Sequence, residues 1–181
     1  EEERKAVEAH IEACFGAFET VLHEVVSPDI HVDVCVIPPA KDRNYYTLVT
    51  MGMGAHRMNV PAELAEYRLE RAELAIALPA DWKVDQEAFR DEQWYWPVRL
   101  LKTLARLPGE CHTWLGWGHT LPNSADCVPY DESTKLCGAM LGALQENISM
   151  FRTEDDTQIN MYCVIPLYKE EMEYQKTAGT E

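Results

Sequence analysis

Two short stretches carry the side chains best able to do chemistry. In HVDVCVIPP, His31 and Asp33 stand two residues apart, so on an extended strand both point to one face and can reach one ion, with His56, His112 or His119 joining from loops. In CHTWLGWGHTLPN, Cys111 to Asn123, two tryptophans, two histidines, two glycines and a proline crowd a segment where an ordinary connection would be a few polar residues. Cys111 and His119 offer a nucleophile and a base, but neither stands at a helix N-terminus or beside a cation that would lower the thiol pKa. GxSxG, GxxxxGK[ST], GxGxxG and HExxH are all absent. A small metal-dependent hydrolase is thus the enzymatic reading these residues allow. The other reading is recognition: Trp117 is a large, stiff anchor, Gly118 lets the chain turn, and His119 follows, while Trp114 belongs to the core. Trp96, His31 and Asp33 join Trp117, Gly118 and His119 as candidate partner-binding residues.

The elements that must position them follow from periodicity. Val7, Ile11, Cys14, Phe15, Phe18, Val21 and Leu22 recur at helical spacing and predict one amphipathic helix. After it, HVDVCVIPP alternates, with Val32, Val34 and Val36 on one face and His31, Asp33, Cys35 and Ile37 on the other, and AKDR turns it into NYYTLVTMGMG as a hairpin. AELAIALP is a third strand, although its alanines would also suit a helix. In DEQWYWPVRLLKTLARLPGE, Pro97 belongs in the first turn of a helix and Pro108-Gly109 stops it; Arg99, Lys102 and Arg106 form a solvated basic stripe. TKLCGAMLGAL and TQINMYCVIPLY are strands joined through RTEDDTQ, and the second is apolar on both faces and therefore central. KEEMEYQKTAGTE is a short charged helix running into a loose tail. Strands joined by short turns favour an α+β fold, a mixed and largely antiparallel sheet flanked by helices, in a single domain over 1–181.

Composition narrows the function classes. The chain has 181 residues, 31 acidic against 16 basic, and a formal charge of −15, a field that repels nucleic acid and anionic membrane and attracts cationic partners. No apolar run reaches the roughly 18 to 20 residues of a membrane span, and EEERKAVEAH does not look like an export signal. Six cysteines without a CxxC pair are expected to be free in a cytoplasmic chain, with Cys14, Cys35 and Cys163 slow to react. No cofactor is expected.

ERAELAIALPADWKV, YWPVRLLKTLARLPGECHTWLGWGHTLPN, STKLCGAMLGAL and INMYCVIPLYKEEMEY, preceded by HVDVCVIPPAKDRNYYTLVTMGM, resemble the suppressor of fused family in its short bacterial form, from about Val21 to Tyr174. The combination of WLGWGHT with PLYKEE is the specific part. The resemblance implies a non-catalytic protein-binding domain. Animal members carry a second domain and clamp an extended peptide of Gli transcription factors between the two, partly as an added strand and partly through acidic residues near the counterpart of this loop. One of those acids precedes the histidine matching His119; here Gly118 stands there, so Gli specificity is not expected. Bacterial members resemble immunity proteins that neutralise a cognate toxin, which implies a cationic toxin domain as partner. The alternative partner is an extended peptide taken up by strand addition.

Overall fold

The computed structural model describes residues 2–18 and 20–178. Its elements in chain order are α1 (Glu2–Phe15), β1 (Thr20–Leu22), β2 (Asp33–Ile37), β3 (Tyr45–Met51), β4 (Ala72–Pro79), α2 (Glu92–Cys111), β5 (Thr120–Pro122), β6 (Gly138–Ala143), β7 (Met150–Arg152), β8 (Gln158–Leu167) and α3 (Lys169–Ala178), with short 3-10 segments between β3 and β4 and before α2. The strands form one sheet in the order β1-β2-β3-β4-β8-β6-β5, with β7 also paired to β8. All neighbours are antiparallel except β4 and β8, so the sheet is mixed and the fold is α+β.

Alternation sorts the core into two layers. Val32, Val34 and Val36 of the second strand region, Leu48, Leu74, Ile76, Leu141, Tyr162 and Val164 face α2, whose Val98, Leu101, Leu104 and Ala105 pack on them. Cys35, Ile37, Val49, Met51, Ala75, Ile159 and Met161 face α1 through Val7, Ile11 and Phe15. β8 lies between β4 on one side and β6 with β7 on the other. That placement is why both of its faces are apolar.

Four sequence expectations are corrected. The first helix does not run to Leu22: Gly16 adopts φ 103, a left-handed conformation that ends it, and Val21 and Leu22 belong to β1, an edge strand. Their apolar spacing suited both a helix and a strand over so short a run. Pro97 is not in the first turn of α2, because Asp91 accepts a hydrogen bond from the Gln93 N–H at 3.0 Å and starts the helix at Glu92. Nor does Pro108 stop it. Near a helix end a proline forfeits one backbone bond, and the helix closes only at His112, φ 50, whose N–H bonds the Pro108 carbonyl. RTEDDTQ joins β8 to β7, a short strand absent from the sequence reading, and β6 pairs β8 beyond it. The loose tail lies in part outside the described residues.

Candidate functional site

β5 forms one edge of the sheet, and the aromatic loop leads into it. Gly118 N–H donates to the Leu141 carbonyl at 2.7 Å and Leu141 N–H to the His119 carbonyl at 2.9 Å, so the loop is stitched to β6 before β5 begins. Gly118 stands at φ 80 to make that turn. Asn123 N–H donates to the Cys137 carbonyl at 2.8 Å at the far end. Backbone groups of an antiparallel strand alternate in direction. With His119 and Asn123 turned to β6, the N–H and C=O of Thr120 and the C=O of Pro122 face outward along the edge, without a hydrogen-bond partner among the described residues.

Beside this edge runs an open groove lined by Leu107, Trp114, Leu115, Gly118, His119 and Leu121. Trp114 is half-buried, packed on the α2 side of the core and met edge-on by the His119 ring at 4.4 Å. His119 Nδ1 accepts from Gly116 N–H at 3.2 Å, which leaves the proton of the neutral ring on Nε2. Burial lowers the His119 pKa and outweighs the backbone bond at Trp114 that raises it. The ring is therefore a neutral donor at pH 7. Trp117, in contrast, is 57% exposed. The loop thus half-buries one tryptophan and projects the next into solvent.

The other candidates do not join this surface. Trp96 is corrected outright: it is 4% exposed, stacked on Tyr130 at 5.1 Å with Trp82 edge-on at 6.1 Å, and a partner cannot reach it. It is a core residue because Tyr130 and Trp82, distant in the sequence, pack over its ring. His31 and Asp33 lie at the second strand, five neighbour spacings from β5, roughly 24 Å across the sheet. The two do meet each other. Asp33, 1% exposed, takes His31 Nε2 at 2.8 Å and the Glu24 N–H at 3.0 Å on one oxygen, and His23 Nδ1 at 3.1 Å and Arg4 Nη2 at 3.2 Å on the other. Burial would raise its pKa; the Glu24 N–H and the two histidines outweigh it and hold the carboxyl below its ordinary value. Four donors occupy the carboxylate, which thus ties α1, β1 and β2 together. Among the described residues no three His, Cys, Asp or Glu side chains are grouped to hold a metal ion.

Two features escaped the sequence reading. The basic stripe is not a solvated face throughout: Arg106 reaches Glu24 at 2.5 Å, Asp29 at 3.0 Å and the Ile30 carbonyl at 3.2 Å, with Lys102 at 3.8 Å from Glu24, so only Arg99 remains outside. That cluster braces the loop between β1 and β2. Glu73 is fully buried on β4, accepting from Thr50 Oγ1 at 2.5 Å and from the Gly52 and Gly54 N–H groups at 2.9 Å each. The signal was there as the single acid inside the apolar run AELAIALP.

The suppressor of fused protein (SUFU) family matches residues 28–181. The chain belongs to the suppressor of fused family. Similar solved structures include the Sufu-Fu complex, at 14% identity and TM-score 0.64 over 97% of this chain and 79% of that one. A SUFU homologue from Neisseria gonorrhoeae FA 1090 shares 12% identity with TM-score 0.61, over 97% of this chain and 82% of its own. Drosophila Suppressor of Fused shares 14% identity with TM-score 0.59 over 96% of this chain, which spans 43% of the Drosophila chain. No curated protein sequence matched. At these identities the suppressor of fused structures establish the fold, and the whole Drosophila protein's activities are not transferred with it. No helix among the described residues is long and apolar enough to cross a membrane.

Proposed function

We propose that the chain is a non-catalytic protein-binding domain whose docking surface is the Trp117–His119 loop with the β5 edge, and whose partner is a cationic segment of another protein. The observation that carries this is Trp117, largely exposed at the tip of a loop pinned to β6 and set beside unpaired backbone groups. An exposed indole on a rigid support is the residue type and setting that dominate binding energy at interfaces. The edge offers few hydrogen bonds, since Pro122 has no N–H to give, so strand addition there is short and the side-chain anchor must supply much of the affinity. The formal charge of −15 favours a basic partner. A relative of this fold is crystallised with another protein in the Sufu-Fu complex, which supports partner binding in general. A cationic toxin domain, neutralised in an immunity role, is the specific partner we propose.

Panning a peptide-display library on the domain tests this, because the selection itself reveals which sequences bind. Basic, extended sequences should enrich on the wild type, and both Trp117→Ala and Thr120→Pro should weaken their binding, the first by about thirtyfold, or about 2 kcal/mol. Binders indifferent to both substitutions would place the docking surface elsewhere.

A further inference from the structure

Behind the β5 edge the chain leaves through Asn123 and returns to β6 at Cys137 and Gly138. Cys127 lies in this loop at φ 54, a left-handed conformation that a residue with a side chain adopts at a cost. The turn is held there from both sides: Cys127 N–H donates to the Ser124 carbonyl at 3.0 Å, Val128 N–H to Ser124 Oγ at 3.1 Å, and Asn123 Nδ2 to the Val128 carbonyl at 2.8 Å. The result is that the Cys127 thiol faces Cys137. Its Sγ donates to the Cys137 carbonyl at 3.3 Å, which sets the Cys127 thiol against the residue that carries the second thiol. Cys137 itself is buried with 1% exposure, while Cys127 is half-buried and reachable from solvent.

We propose that Cys127 and Cys137 form a redox modification site, a dithiol that closes to an intrachain disulfide on meeting a small-molecule disulfide and so staples the loop behind the docking edge. The order of events follows from access. The Cys127 thiolate attacks one sulfur of the reagent, the reagent's S–S bond breaks, and one thiolate leaves. Cys137, having given its proton to solvent, attacks the Cys127 sulfur of this mixed disulfide and expels the second thiolate. Two protein thiols have lost two electrons and two protons, and the reagent disulfide has been reduced to two thiols. Cys137 suits the second step and not the first: burial, with the neighbouring thiol, pushes its pKa up to about 11, so it reacts through proximity. This site does not depend on what binds at Trp117.

Oxidised glutathione added to the reduced, folded protein is the direct test, read by intact mass and peptide mapping. The Cys127–Cys137 linked peptide should exceed all other cysteine pairs together by at least about tenfold, as proximity dictates. Exposed Cys111 is the internal reference, since it should stop at the mixed disulfide. In Cys137→Ser, Cys127 should also stop there. A wild-type protein whose Cys127 accumulates as the mixed disulfide without linking to Cys137, or whose linkages spread over other pairs, overturns the proposal, and that result needs no variant to fold.

Discussion

A carboxylate held by neutral donors alone is expensive to bury, and Glu73 is such a group: a hydroxyl and two backbone N–H groups meet it on β4. Burial pushes its pKa up to about 7 from an ordinary 4.5, against the pull of those donors. The folded chain therefore keeps a proton that the unfolded chain releases between these values. Stability from this group is complete below about pH 4.5 and lost as pH rises toward 7, by about 3 kcal/mol at 1.36 kcal/mol per unit. Asp33 and Glu24, whose pKa values are lowered, act in the opposite sense, their contribution being lost as pH falls. Glu73→Gln isolates the one group. Denaturant unfolding from pH 4.5 to 7.5 should show the wild type losing about 3 kcal/mol relative to the variant, and parallel curves would show that Glu73 does not titrate in this range. At this scale the sequence was legible where a residue's surroundings lie nearby in the chain. His31 beside Asp33 is of that kind, while Arg4, which also holds Asp33, comes from another element. Trp96 was misjudged for the same reason, since its burial depends on Tyr130 and Trp82.

Elements whose pattern was unambiguous needed no tertiary knowledge. The second strand follows from alternation and the apolar face of α2 from 3.6-residue spacing. The sequence fails at boundaries decided by one backbone dihedral or one side-chain cap, as at Gly16 and Asp91, and at β7, which has three residues and no apolar alternation. The crossing from β3 to the following turn shows how sharp such a determinant is. Gly52 stands at φ 126, and a Cβ there would lie 2.1 Å from the His31 carbonyl oxygen. The Gly52 N–H is fixed on Glu73, which holds the turn against the backbone of His31 and Val32 just before β2. Gly52→Ala should cost about 3 kcal/mol or more, or about 10 °C in melting temperature for a chain of this size. Gly109→Ala is the control, since an added Cβ on α2 meets nothing within 4 Å. That variant should melt slightly higher, alanine being the better helix former by about 1 kcal/mol. Melting curves that move together would mean that the close approach at Gly52 relaxes freely.

Across the whole molecule the charge balance decides how a partner arrives, and the ion pairs decide how much of the field is left. Arg4, Arg68, Arg71, Arg99, Arg106 and Arg152 are each paired with a carboxylate, as is Lys102, so much of the positive charge is already neutralised locally. The surplus acids behind the −15 are then free to act at a distance. Such a field steers encounter over tens of ångströms at low salt but is screened within about 8 to 10 Å at physiological ionic strength. Contact at Trp117 is short-ranged and desolvated, so salt hardly reaches it. The two contributions therefore separate kinetically. Against a basic peptide selected on the wild-type domain, raising salt from low to high should slow association by about tenfold or more and leave dissociation nearly unchanged. Trp117→Ala should do the reverse, speeding dissociation by up to about thirtyfold with the on-rate and its salt dependence intact. An on-rate indifferent to salt would mean that the acidity serves solubility and not recognition, and the search for a partner would then turn from basic proteins to apolar ones that fit the groove beside β5.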